Sequence, residues 1–126
     1  MQVIGCQLDI AWEDKHVNFL RVRDLLSNVT IEPGALIVLP EMFATGFSMN
    51  VDTTAESAQG ESYQFLAQLA RDTASHIVAG VVTCNPDGRG RNEARLQPHG
   101  LVRPAGAGRA DPQHRQPGVP AVVRRR

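Results

Sequence analysis

The chain has 126 residues, of which 42% are hydrophobic, so it fits one globular domain and is not disordered throughout. Its net charge is zero, yet residues 1–94 carry 12 acidic against 6 basic residues, and residues 95–126 carry seven arginines against one acid. Two cysteines make a disulfide scaffold unexpected, and no apolar run approaches a membrane span. We expect no signal peptide and a reducing, cytoplasmic location.

The first predicted elements are a strand and an amphipathic helix. Residues 3–10 (VIGCQLDI) form a short, mostly apolar run, which indicates a strand. Apolar residues then recur at helical spacing, at Val22, Leu25, Leu26 and Val29. This spacing predicts a helix over residues 14–28, which the Pro33-Gly34 pair separates from the next element.

Two further strands and one helix follow. Residues 35–39 and 76–83 are β-branched and apolar, and residues 61–74 carry a second helical pattern. The predicted order is therefore β-α-β-α-β. Near-continuous hydrophobic strands that alternate with helices favour an α/β fold, with a parallel sheet covered on both faces and joined by right-handed crossovers.

A single acidic residue follows the second predicted strand, in the segment IVLPEMFATGFSMN. Pro40 cannot donate a ladder hydrogen bond, so the strand should end there and leave Glu41 just past its carboxyl end. Ligands of open parallel sheets bind at this edge. We expect residues 10–12, 41–47 and 84–87 to meet on one rim, with Glu41 as the candidate site residue. A solvated acid at a strand end is the alternative.

Three segments resemble, in order and spacing, the first third or so of the nitrilase superfamily of carbon-nitrogen hydrolases. They read VIGCQLDIAWEDKHVNFLRVRDLL, GALIVLPEMFATGFSMN and IVAGVVTCNPDGRGRNEA, and the likeness extends over residues 1 to about 94. The specific part is LPEMF-x-TGF, and the greatest likeness is to the omega-amidase branch. The chain therefore resembles an N-terminal fragment of such an enzyme.

The resemblance implies the α-β-β-α sandwich of the nitrilase type, here incomplete. Residues 1–94 would form the N-terminal part of a carbon-nitrogen hydrolase domain, with the β-α-β-α-β order. Because a complete family domain packs two sheets face to face, this chain should leave apolar sheet surface uncovered. We therefore expect self-association.

The resemblance also implies a Cys-Glu-Lys triad in which Glu41 is the general base, and a small acyl pocket lined by the loop with Phe43, Thr45 and Phe47. Packing beneath a loop is the alternative for either Phe. The implied reaction is hydrolysis of the terminal amide of a small 2-oxo acid amide such as 2-oxoglutaramate. It releases ammonia and needs no cofactor or metal.

Two members of that triad have no counterpart at the expected place. In the family the lysine and the nucleophilic cysteine follow the segment matching residues 1–94, but no lysine occurs after Lys15 and no cysteine after Cys84. Either could lie on the Glu41 rim. We expect instead that Lys15 is solvated and that Cys84 is a partly buried thiol at a strand end. The other cysteine, Cys6, should be fully buried. The chain is thus an amidase-family hydrolase by resemblance, expected to be inactive as it stands.

Residues 95–126 have a different character, because they hold five of the eight prolines and no aromatic residue. We expect a basic Pro/Gly/Arg-rich tail that is disordered. The alternative function is a non-catalytic basic fragment that contacts nucleic acid through its arginines. The tail has no aromatic for base stacking, which counts against nucleic acid as a partner, and the family resemblance implies a small amide substrate instead. We also expect a homo-oligomer and no membrane partner.

The tail is also consistent with a shifted reading frame. Codons for Arg-Leu-Gln-Pro-His-Gly, read from the second base, can encode Val-Phe-Ser-Pro-Thr, which would continue the family pattern. We predict that residues 95–126 are a frameshifted reading of a GC-rich gene, which would account for their Arg, Pro, Gly and Ala content. Nucleotide sequencing past codon 94 checks this. The shifted frame should reach a lysine segment and a downstream cysteine, and a frame without them would refute the idea.

Overall fold

The computed structural model of the protein describes residues 1–85, 87 and 90–97. Its elements in chain order are β1 (Val3–Gly5), α1 (Lys15–Ser27), β2 (Leu36–Val38), α2 (Val51–Thr54), α3 (Glu61–Thr73), β3 (His76–Cys84) and β4 (Gly90–Gln97). The predicted β-α-β-α-β order is confirmed by β1, α1, β2, α3 and β3. The short helix α2 and the strand β4 were not predicted.

Local signals in the sequence set the ends of both long helices. The side chain of Asp14 caps α1 by accepting a hydrogen bond from the Val17 backbone N–H at 3.1 Å. Helix α3 ends at Thr73, and the next residue, Ala74, adopts the left-handed conformation (φ 50°) common just past a helix. Neither these helices nor any other described segment has the length and apolarity that crossing a membrane requires.

The sheet has the strand order β1-β2-β3-β4. The first three strands are parallel, with Val3 opposite Leu36 and Leu36 opposite His76. Strand β4 is antiparallel to β3, from Cys84 opposite Gly90 to Ile77 opposite Gln97. It extends three residues past the predicted boundary at residue 94. The rest of the predicted tail lies outside the described residues.

One face of the sheet packs against both long helices. The side chains of Ile37 and Ile77 are fully buried and share one core cluster with residues of α1 and α3. The members of this cluster contributed by the helices are Val22, Leu26, Phe65, Leu66, Leu69 and Ala70. Because the chain moves across the sheet in one direction, two right-handed crossovers put both helices on the same side.

The opposite face is open in the described part of the chain, so the expectation of a sheet covered on both faces was wrong. Val3 is 52% exposed. The residues that follow it across the sheet are only half-buried, namely Leu36, Val38 and Val78. The expectation that apolar sheet surface stays uncovered agrees with this arrangement.

A buried amide joins α1 to the two loops that follow β1 and β2. The Asn18 side chain is completely buried, and its Nδ2 donates to the carbonyl oxygens of Ala11 (2.8 Å) and Ala44 (2.7 Å). Its Oδ1 accepts from the Ala11 N–H at 2.7 Å. One helical residue thus satisfies three backbone groups that the sheet leaves unpaired, which holds both loops at the carboxyl ends of their strands.

We predict that Asn18→Ala lowers the free energy of unfolding by roughly 2–4 kcal/mol, because it leaves these backbone groups without a partner inside the protein. Urea denaturation followed by circular dichroism measures the change. Asn28→Ala is the matched control, since Asn28 lies at the other end of α1 and its amide makes an exposed hydrogen bond to Asp24. An equal loss in both variants would contradict the assigned role of Asn18.

We also predict that the open face makes the chain self-associate. Replacing Val38 and Val78 together by lysine puts charge on that face and should shift the population towards monomer in light scattering after gel filtration. Val29→Lys is the control, because Val29 is 39% exposed and lies in the segment between α1 and β2, outside the strands. A monomeric parent chain with one cooperative melting transition would show that the face is not adhesive.

Candidate active site

Glu41 is exposed and begins a tight turn just past the carboxyl end of β2. The next residue, Met42, has a left-handed backbone (φ 53°), an uncommon conformation for a side chain without a short polar group. The Met42 carbonyl accepts hydrogen bonds from the N–H groups of Thr45 (3.2 Å) and Gly46 (2.8 Å), which close the turn. The carboxylate is therefore carried on a structured turn.

The loop between β1 and α1 holds this turn from one side. The Glu13 N–H donates to the Thr45 carbonyl at 2.9 Å, and the Ser48 hydroxyl donates to the Glu13 carboxylate. Glu13 itself has a left-handed backbone (φ 54°). Trp12 lies over Gly46 so closely that a Cβ at Gly46 would come within 3.2 Å of the indole ring. The predicted meeting of residues 10–12 with residues 41–47 is thus observed.

The three residues predicted to line an acyl pocket have different environments. Phe43 is completely buried, with its ring centroid 6.0 Å from that of Phe65 and 6.1 Å from that of Phe19. Thr45 is also buried, whereas Phe47 is 64% exposed. Phe43 therefore packs in the core, as the alternative interpretation expected. Contact of these residues with a substrate stays a prediction.

Lys15 is not the solvated residue expected from its place at the start of α1. Its side chain is only 16% exposed, and its Nζ lies 2.7 Å from Oε2 of Glu56. The same carboxylate accepts from the N–H (2.7 Å) and the hydroxyl (3.2 Å) of Ser62, in the first turn of α3. A half-buried cation is stable here because it is paired with a carboxylate that is itself hydrogen-bonded.

The backbone of Glu56 connects this ion pair to the end of β3. Its N–H donates to the Val82 carbonyl (3.1 Å), and its carbonyl accepts from the Cys84 N–H (3.0 Å). The Cys84 side chain is exposed, so this strand-end thiol is more accessible than expected. Cys6 is buried as predicted, and that burial raises the pKa of its thiol, which disfavours the reactive thiolate.

Two open clefts lie along this rim. A groove of about 690 Å³ is bordered by Trp12, Glu13, Lys15 and Glu56. A second cleft of about 450 Å³ forms where β1 and β2 end, and Pro40 borders it directly before Glu41. The second cleft has the position at which parallel sheets bind ligands. Among the described residues, no three His, Cys, Asp or Glu side chains are grouped closely enough to hold a metal ion.

The sequence did not reveal the supporting contacts of the site. Glu13 and Glu56 were not predicted as part of the site. The structure shows that Glu13 has a strained backbone and that Glu56 carries a half-buried charge. Lys15 and Glu56 are 41 positions apart, so no short motif links them. The one local signal was the series of turn-forming polar residues between Ser48 and Gly60, which contains both α2 and Glu56.

Comparisons with known proteins identify the family. The family model of carbon-nitrogen hydrolases matches residues 4–95. The chain is 36% identical over 98 residues to the omega-amidase YafV of Yersinia enterocolitica, covering 76% of this chain and 36% of that protein. It is 31% identical over 90 residues to a nitrilase of Pyrococcus abyssi, covering 68% of this chain and 34% of the relative. The chain thus spans about a third of the length of these relatives.

Solved structures agree at the level of the fold. A CN-hydrolase superfamily protein of Xanthomonas campestris, solved with an arsenic adduct in its active site, superposes with a TM-score of 0.68 at 23% identity, covering 76% of this chain and 36% of that one. An N-terminal amidase solved with a Gln-Gly peptide gives a TM-score of 0.65 at 16% identity, covering 75% and 24%. With its mixed α/β sheet and its family match, the chain belongs to the carbon-nitrogen hydrolases of the nitrilase superfamily.

Proposed function

We propose that this chain carries the general-base part of an omega-amidase-type carbon-nitrogen hydrolase, with Glu41 as the base. The observation that supports this most is the place of Glu41. It is exposed on a structured turn at the carboxyl end of a parallel strand, beside a cleft where two strands end. The similarity to an omega-amidase over 98 residues supports the choice of reaction class.

The reaction needs a group that takes a proton and then returns it. A cysteine thiol must be deprotonated to attack the amide carbon, and the departing nitrogen must be protonated to leave as ammonia. Water then hydrolyses the thioester, which restores the thiol. A carboxylate such as Glu41 can serve in both proton transfers, while a lysine ammonium would stabilise the oxyanion of each tetrahedral intermediate.

The proposed substrate is the terminal amide of a small 2-oxo acid amide such as 2-oxoglutaramate. In this proposal Phe47, which is 64% exposed, contacts the substrate directly. The buried residues Phe43 and Thr45 would act through the shape of the turn, since Phe43 packs on Phe65 beneath it. The proposal involves no cofactor and no metal.

Neither Lys15 nor Cys84 replaces the missing members of the triad in this proposal. The ammonium of Lys15 is already held at 2.7 Å by Glu56, so stabilising an oxyanion would require breaking a half-buried ion pair. Cys84 is exposed at the end of β3, and its backbone is fixed by Glu56 rather than by the Glu41 turn. We therefore propose that the 126-residue chain does not turn over its substrate.

The comparisons do not favour the alternative of a nucleic-acid-binding fragment. The match to a hydrolase family covers residues 4–95, whereas the arginines invoked for phosphate contacts begin at Arg95. Beyond Gln97 that segment lies outside the described residues. The small amide remains the proposed partner.

We predict no detectable amidase activity from the 126-residue chain and no further change in its Glu41→Gln variant. Loss of an oxyanion donor alone typically costs about 10² to 10³ in rate, and the nucleophile is missing as well. In a chain extended through the restored reading frame, Glu41→Gln should remove nearly all activity and leave the circular dichroism spectrum unchanged. Release of ammonia from 2-oxoglutaramate is the measurement.

Glu32→Gln provides the control for the extended chain, because Glu32 is exposed in the loop before β2, at the opposite end of that strand. It should keep full activity. Amide hydrolysis by the short chain that depends on Glu41 and is abolished by Cys84→Ala would overturn the proposal, since it would show that Cys84 acts as the nucleophile.

A further inference from the structure

Gly80 of β3 lies directly against the turn that carries Glu41. A Cβ built on Gly80 would come within 3.1 Å of both Cα and Cγ of Glu41, and within 3.2 Å of the Met42 nitrogen. Ordinary contacts of a Cβ are longer than this, and two of these three atoms belong to the backbone, so they cannot rotate away as a side chain can. The close approach of strand and turn therefore depends on a residue without a side chain at position 80.

Neither partner in this contact is free to move aside. Gly80 is paired with Ala94 of β4, and two residues earlier in the same strand the Val78 carbonyl accepts a hydrogen bond from the Leu39 N–H at 2.9 Å. These bonds fix the strand and the residues that lead into Glu41. On the far side of the turn, the carbonyl of Ala44 is held by the buried Asn18 amide at 2.7 Å.

The strained backbone after Glu41 points to the same conclusion. Met42 is left-handed, and its carbonyl is occupied by the N–H groups of Thr45 and Gly46. A conformation of this kind persists only where the surroundings fix it. A methyl group introduced between β3 and this turn would push on the peptide that joins Glu41 to Met42, and would change the direction of the Glu41 side chain.

We infer that Gly80 is a positioning residue for Glu41: by leaving room for the turn against β3, it sets where the carboxylate stands above the end of the sheet. Its importance for catalysis rests on the function proposed above for Glu41. Its effect on the position of Glu41 is independent of that function and can be measured in a chain that does not turn over.

The test compares Gly80→Ala with Gly5→Ala in the 126-residue chain. Gly5 is the matched control, because it lies in β1 of the same sheet and an added Cβ there meets nothing within 4 Å. The readout is the NMR signal of the Glu41 side-chain carboxyl carbon, assigned by its loss in Glu41→Gln, together with the Met42 amide signal.

We expect Gly80→Ala to shift both signals while the amide signals of α1 and α3 stay in place, and Gly5→Ala to shift neither. Unchanged Glu41 and Met42 signals in a folded Gly80→Ala chain would overturn the inference. So would equal shifts in both glycine variants. These outcomes are distinct from failure of the proposed function, which the ammonia assay detects.

If Gly80→Ala does not fold, a second variant decides. Adding Glu41→Gly removes Cγ from the contact and frees the backbone of the turn. If the contact with Glu41 is the cause, the double variant Gly80→Ala/Glu41→Gly regains the circular dichroism spectrum of the parent. A double variant that stays unfolded would show that freeing the Glu41 turn does not relieve the conflict, and would overturn the inference.

Discussion

The interaction on which the rim of this protein most depends is the half-buried ion pair of Lys15 and Glu56. Its carboxylate binds the start of α1 through Lys15 and the start of α3 through Ser62, while the backbone of Glu56 pairs with the end of β3. Removing one partner of such a pair typically costs about 3–5 kcal/mol, because the other charge is left desolvated. The elements that surround the candidate site are therefore joined by one residue that takes no part in the proposed chemistry.

The Glu41 turn is supported separately from that ion pair. Glu13 and Asn18 hold it from the side of α1, and Gly80 supports it from β3. Both non-glycine residues with left-handed backbone on this rim, Glu13 and Met42, lie in this part of the structure. Strained residues of this kind are concentrated at functional sites, where the surrounding contacts outweigh their conformational cost. Contacts from both sides thus hold the turn in place, as the proton transfers proposed for Glu41 would require.

The sequence predicted the elements whose signals are local. The Asp14 cap, the helical spacing from Val22 and the proline after β2 define helix and strand ends through neighbouring residues alone. The sequence did not predict strand β4. Its segment GRNEARLQ has neither the alternation nor the apolar content typical of a strand, and it pairs because β3 presents an edge to it. The sequence did not predict that both long helices lie on one face of the sheet, because this depends on strand order. The burial of Lys15 was not predicted either, because its partner Glu56 is distant in sequence.

The antiparallel pairing of β4 with β3 has a consequence for how the chain folds. Cys84 pairs with Gly90 across a short connection, so this hairpin closes a small loop and loses little chain entropy. Val3 pairs with Leu36, and Leu36 with His76, across whole helical crossovers, so these pairings close much longer loops. Contacts between residues distant in sequence slow folding, and parallel sheets are rich in them. The hairpin is therefore the part of the sheet best suited to form first, and β2 and then β1 would add to an edge that β3 already presents.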